Sequence, residues 1–267
     1  MKKVIIGICI IILFILIAIY IYLGRTTEDE VILYRVTIIH CNIVPEKSAL
    51  EKALENRNGE TLESLPILMY HAFYDATESS RRRNSNWMEI SDFEEQMRYL
   101  AEQEYYFPTW EEVYGFVNGT KELPIRSIVV TIDDGEPSFF YLAVPILERY
   151  NIKATSFVIT SWIEEYVIRS YESEILIFES HSHDMHRPGR DERGAMVTAT
   201  REELYNDLAR SREMLNGGIV FCYPFGHYNE FVKQMLEEMG YKLAVTTIMR
   251  QSYTWNGAFK IAKSKNV

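Results

Sequence analysis

Cysteine is scarce, with three in 267 residues. Cys9 lies inside an apolar N-terminal run, and Cys41 and Cys222 fall in no CxxC pair. That excludes a disulfide framework and a cysteine-built zinc site. A single Cys41–Cys222 bridge stays open, because sequence supplies no geometry for it. Histidine is scarce too, at six, so any clustering of it is informative. Positive charge is in deficit: 28 Lys and Arg against 38 Asp and Glu leave a formal charge of -10, which argues against nucleic acid as a partner. No internal repeat or low-complexity tract is present. The length suits one domain with a sizeable core plus an anchor, and is marginal for two.

One long hydrophobic run is present. Lys2 and Lys3 precede Val4 to Leu23, which carries no charge. At about 1.5 Å per residue a helix of that length spans about 30 Å, a bilayer core. The exit Tyr22-Leu23-Gly24-Arg25 has no small-x-small cleavage site, so an uncleaved transmembrane signal anchor is expected over residues 1–25. The lysines keep the N-terminus cytoplasmic and place the remainder outside the cell membrane, as a single-pass protein. Residues 26–64, with a strand-like Val31 to Ile39 and a charged, weakly helical Ser48 to Glu63, read as a stalk. His40 there is an ordinary surface residue.

From residue 65 to 267 the texture is that of one domain. Pro66 to Tyr70 is a buried strand ending at His71. Residues 75–86, with Arg81-Arg82-Arg83, form a loop. Ser91 or Asp92 caps a helix carrying Phe93, Met97, Leu100 and Ala101, and Thr109 with Glu112 forms a capping box. Strands and helices then alternate. The strands are Ser127 to Ile132, Ala154 to Thr160, Ile175 to Glu179, Ile219 to Cys222 and Lys242 to Thr247. The helices are Ser138 to Tyr150 (interrupted at Pro145), Thr200 to Leu215 and Asn229 to Met239. Repeated βα units predict an α/β fold with parallel strands, either a barrel or an open doubly wound sheet.

Three polar clusters follow three of these strands: Asp133-Asp134-Gly135, His181-Ser182-His183-Asp184-Met185-His186 and Tyr223-Pro224-Phe225-Gly226. In a βα barrel the C-terminal strand ends share one face, so three distant segments converge on one pocket. Asp-Asp-Gly or Pro-Phe-Gly alone is an ordinary turn. Three histidines in six residues, directly after an apolar strand, are not. One carboxylate with two imidazoles makes a facial set that leaves room for water and substrate on a divalent ion. The second aspartate is then placed to take a proton from water.

These motifs resemble those of the NodB-like polysaccharide deacetylases, carbohydrate esterase family 4, over about Leu65 to Leu243. Leu65 to His71 is similar to the family's opening strand, and Thr131-Ile132-Asp133-Asp134-Gly135 to its Thr-Phe-Asp-Asp-Gly. Lys153 to Val158 resembles its lysine-alanine-threonine strand. Ser180 to His186 and Phe221 to Gly226 resemble the forms in the poly-N-acetylglucosamine deacetylase branch. The resemblance implies a distorted (β/α)7-type barrel, the NodB homology domain. It implies Asp133 as general base, Asp134, His181 and His186 as ligands of a divalent metal, zinc foremost, and the Tyr223 N–H as oxyanion donor. His71, Pro224 and Phe225 would border the substrate, an acetylated glucosamine polysaccharide such as an exopolysaccharide or peptidoglycan. His183 falls between ligand positions. Two departures stand out. Cys222 lies where many members carry an arginine that orients the base, and no histidine follows His227, so the later Leu-x-His source of a general acid has no counterpart. The second departure motivates an alternative: a surface glycan-binding protein that keeps the pocket without turnover.

Overall fold

The computed structural model describes residues 47–77, 86–190 and 193–247, and the backbone of two short strands at 261–262 and 264–265. The expected anchor, the strand at Val31 to Ile39 and most of the arginine loop lie outside the described residues. Among the described residues, no helix is long and apolar enough to cross a membrane.

The chain opens with helix α1 (Ala49–Asn56), capped by a reciprocal Ser48–Glu51 box. Strands β1 (Ile67–Tyr70), β2 (Ala72–Tyr74) and β3 (Trp87–Glu89) follow, then α2 (Ile90–Glu102) and α3 (Trp110–Val117). β4 (Val129–Asp134) leads through a π-helical turn, Phe139–Ala143, into α4 (Val144–Tyr150). Next come β5 (Ala154–Val158), α5 (Glu165–Tyr171) and β6 (Leu176–Ser180). α6 (Ala195–Thr198), α7 (Arg201–Met214), β7 (Val220–Cys222), α8 (Glu230–Glu238) and β8 (Leu243–Thr246) complete the main body. β9 (Ile261–Ala262) and β10 (Ser264–Lys265) are the last strands.

The main sheet runs β10-β1-β4-β5-β6-β7-β8-β9, and every pairing in it is parallel. It is a parallel-strand α/β half-barrel. β9 extends its β8 edge and β10, one residue further on, extends its β1 edge. β2 and β3 form a separate parallel pair.

Strand alternation divides the core. Ile67, Val129, Phe157, Val220, Cys222, Leu243 and Val245 share one face, joined by Leu50 of α1 and Trp110 and Val113 of α3. The intervening residues Val130, Ile132, Ala154 and Val158 turn to the other face and pack with Phe93, Met97, Val144 and Leu147 of α2 and α4. Phe221, Tyr223 and Ala244 pack with Leu204, Leu208, Val232 and Met235 of α7 and α8. Asp133 continues the parity of Val129, and Ile177, Glu179 and His181 share one parity on β6, so chemistry-bearing side chains enter the inner face at the strand tops.

Several local expectations change. Residues 47–64, expected as the end of a stalk, belong to the compact unit that begins at Lys47, because α1 buries Leu50 and Ala53. The α2 cap is Glu89, whose carboxylate accepts from Ser91 N and Asp92 N. Pro145 does not end the helix: the π-helical turn Phe139–Ala143 runs directly into α4, and Pro145 lies one residue past that junction. The helix α5 and the β2–β3 pair had no counterpart in the sequence reading. Cys222 is a buried thiol, and Cys41, its conceivable partner in a bridge, lies outside the described residues.

Candidate metal and active site

The three polar clusters meet at the tops of β4, β6 and β7. Each contains one non-glycine residue in the left-handed backbone region: Asp134 at φ 75°, Ser182 at 75° and Phe225 at 57°. Such conformations cost on the order of 1 kcal/mol or more and persist where the surroundings enforce them. Asp134 shows what the strain achieves. Strict alternation would turn it away from Asp133, yet its Oδ1 lies 3.5 Å from His181 Nε2 and 3.6 Å from His186 Nε2. Gly135 follows at φ 79°, and a Cβ there would sit 3.0 Å from Val158 Cγ1, so both the backbone and the space favour glycine.

The histidine loop is held at almost every peptide. His181 N donates to Val158 O, and Ser182 N to Ser180 Oγ. Asp207, on α7, accepts from His183 N at 2.9 Å through Oδ1 and from Asp184 N at 2.7 Å through Oδ2. Burial raises the Asp207 carboxyl above its ordinary range, against the two N–H groups that favour its charge. Met185 N closes the turn on Ser182 Oγ.

The donor set fits a divalent cation. His181 Nδ1 lies 2.8 Å from Cys222 O, so it donates its proton there and leaves Nε2 with a lone pair toward Asp134. Burial holds the His186 imidazole below its usual range, which keeps it neutral at physiological pH. One oxygen and two nitrogens bound at about 2.0–2.2 Å would lie roughly 3 to 3.5 Å apart, close to the spacing seen. Ligand atoms of Asp134, His181 and His186 all fall within 4.8 Å of one another. Asp133, His181 and Cys222 form a second group of that size, fully buried. The Cys222 thiol donates to Asp133 Oδ2 at 3.4 Å in that group, a contact between its own members. The Asp134 group is partly open, as a catalytic ion requires.

The remaining predicted residues divide. Phe225 is 44 % exposed and its ring centroid is 4.2 Å from that of His186. Pro224 is buried and starts the 3-10 turn Pro224–Gly226. His71 follows β1 at the same end of the sheet, half-buried, and joins neither ligand group. Tyr223 departs from its expected role: its N–H donates to Val245 O at 3.0 Å, within the sheet. Gly226 N and His227 N are engaged by Tyr223 O and Pro224 O, and proline has no N–H, which leaves Phe225 as the turn's N–H for an oxyanion. His183 stands aside from the ligand groups, 3.0 Å from Thr160 Oγ1 through Nδ1. Sequence reasoning missed Asp207, a mid-helix acid in no motif, and Trp162, whose ring centroid is 6.0 Å from that of His186.

Residues 120–244 match the family model described as polysaccharide deacetylase. The chain is 26 % identical over 181 residues to the poly-beta-1,6-N-acetyl-D-glucosamine N-deacetylase of Staphylococcus aureus (strain MRSA252), covering 61 % of this chain. It spans 62 % of that relative's length. Among solved structures it is similar to IcaB from Ammonifex degensii, with a TM-score of 0.66 and 23 % identity over 78 % of this chain and 93 % of that one. It is also similar to the Streptococcus pyogenes deacetylase PplD in complex with acetate, with a TM-score of 0.64 and 26 % identity over the same shares.

Proposed function

We propose, from the premise that this chain carries a polysaccharide deacetylase domain, that it hydrolyses N-acetyl groups from an N-acetylglucosamine polymer with the help of a divalent metal. The observation that carries this is the convergence of Asp134, His181 and His186, from two separate strand-end loops, on one partly open point. Zinc suits two imidazoles and a carboxylate. A bound cation would supply Lewis acidity, lowering the pKa of water and polarising the acetamido carbonyl.

The chain's own residues supply the rest. Asp133 is buried beside the ligands, its carboxylate accepting from the Cys222 thiol and grouped with His181, one of the three donors. It takes the proton of the attacking water and returns it to the amine nitrogen as the C–N bond breaks. One carboxyl thus serves first as base and then as acid, in a chain where no histidine follows His227. The Phe225 N–H faces the carbonyl oxygen as charge develops there. The products are acetate and a glucosamine unit. Poly-β-1,6-N-acetylglucosamine is the first polymer to test, on the name of the S. aureus relative, and peptidoglycan the second. The uncharged Val4 to Leu23 run supports a signal anchor that keeps this domain on the outer side of the cell membrane.

The test is acetate release by the purified full chain, stripped by chelator and reloaded with zinc, from both polymers. Asp133→Asn is expected to keep the metal and lose roughly 10²- to 10⁴-fold in rate. Absence of acetate from every acetylated glucosamine polymer overturns the reading. Glycan binding without acetate, unaffected by Asp133→Asn, would establish the alternative of a binding protein.

A further inference from the structure

Trp162 has no part in the chemistry above, yet it is 59 % exposed, more than the 44 % of Phe225, which borders the same imidazole. An indole left in water beside a polar centre calls for an explanation, since burial of its face would stabilise the fold by more than a kcal/mol. It sits in the loop after β5, and its ring approaches His186 edge-on, at 71°. Phe225 borders the same imidazole from the β7 turn. Two exposed aromatic rings from different strand ends therefore flank one metal-facing histidine.

The Trp162 loop is fastened to the histidine loop. Thr160 N donates to Ser182 O at 3.1 Å, and Ser161 N to His183 O at 3.0 Å. The Thr160 hydroxyl and His183 Nδ1 add a third bond, and Trp162 N turns back on Ile159 O at 2.9 Å. The third histidine of the cluster thereby acquires a role: it latches the tryptophan loop to the ligand loop. A side chain displayed on so tightly tied a backbone is a rigid surface, and its ordering cost is already met by folding.

We infer that Trp162 is a sugar-stacking platform, holding the apolar face of a pyranose ring of the polymer beside the reacting unit, with the His183–Thr160 bond as its positioning device. This rests on the proposed function for the identity of the ligand and adds the residue that sets affinity for the chain. A flat indole has no preference for the acetyl group, so its contribution falls on binding and not on bond breaking.

The experiment compares parent, Trp162→Ala and Trp162→Phe full chains, zinc-loaded, on acetylated β-1,6-glucosamine oligomers, by steady-state acetate release and by equilibrium binding. Trp162→Ala is expected to raise KM and Kd roughly tenfold, equivalent to about 1.4 kcal/mol, with kcat within about threefold and zinc content unchanged. Trp162→Phe restores most of the loss, and Thr160→Val gives an intermediate rise in KM. An unchanged Kd and KM in Trp162→Ala, with zinc retained, overturns the inference. Should the parent release no acetate, the functional reading falls, and the platform is still decided by whether oligomer binding weakens in Trp162→Ala.

Discussion

Asp207 and Glu179 are both buried carboxylates that hold backbone N–H groups, and the difference between them separates what is built for a site from what is built for a sheet. Asp207 reaches from α7 to the histidine loop and fixes two peptides next to His181. Glu179 lies on β6, one step below, and accepts from Ile219 N at 3.4 Å. β6 and β7 are paired in register only at Ser180 and Phe221, so the strands part below that point. There Glu179 stands in for the missing ladder, and Gly218 admits it: a Cβ on Gly218 would meet Glu179 Oε2 at 2.2 Å. The two acids have similar surroundings and opposite clients.

The upper region gives the largest expected effect. Replacing His181 by Ala removes one of three metal donors and the imidazole that joins Cys222 O to Asp134. Zinc content after dialysis should fall from one equivalent to near none, and acetate release by at least about 10²-fold. The fold should remain, since urea unfolding of the chelated chain tests the sheet without the ion. A His181→Ala chain that keeps a full equivalent of zinc would dissolve the distinction between the two regions.

The upper region was also the more legible one. Asp134, His181 and His186 stand out in sequence because rare residues cluster directly after apolar runs, and the strand-end rule brings such clusters together. The βα alternation follows from β-branched runs, and the Thr109 capping box, which acts locally, appears as expected. What depended on tertiary contact did not show. The β6–β7 gap comes from unequal strand ends, and Asp207 carries no signal until the fold sets α7 against the histidine loop. The resemblance implies the oxyanion role for Tyr223, and a motif match does not say whether its N–H is already engaged. Only the register that pairs β7 with β8 shows that Val245 O already takes it. The cap of α2 fell on Glu89 because its carboxylate is long enough to reach back to Ser91 N and Asp92 N.

The lower acid predicts a pH effect on stability. Desolvation pushes the Glu179 carboxyl up to about 8, from an ordinary value of 4.5. The folded chain therefore keeps a proton that the unfolded chain has released, between about pH 4.5 and 8. Where the native state holds more protons, stability falls as pH rises, so this contribution is fully present below the lower value and lost through the upper one. Urea midpoints of the chelated parent should decline from pH 5 to 8.5 by the equivalent of a few kcal/mol at most. In Glu179→Gln the amide oxygen keeps the Ile219 bond and nothing titrates, so that part of the slope should vanish. A slope identical in both chains would remove Glu179 from the comparison.

The smallest effect belongs to Asp207→Asn, and it divides the two roles most finely. The amide keeps one acceptor, but its NH₂ now faces the second of the two N–H groups, and a donor against a donor leaves both unsatisfied, at about 1 kcal/mol or somewhat more. That cost falls on the peptides of His183 and Asp184, between His181 and His186. The chelated chain should lose roughly that amount in urea, while zinc affinity should fall about tenfold, as for supports of metal ligands generally. Zinc should consequently stabilise the variant less than it stabilises the parent, a difference visible as a smaller metal-dependent rise in the unfolding midpoint. Glu179→Gln, which touches only the edge of β7, should leave that rise unchanged. If the two substitutions shift zinc affinity equally, the carboxylate on α7 braces the domain as a whole, and the ligand loop owes its shape to its own hydrogen bonds and its left-handed turn at Ser182.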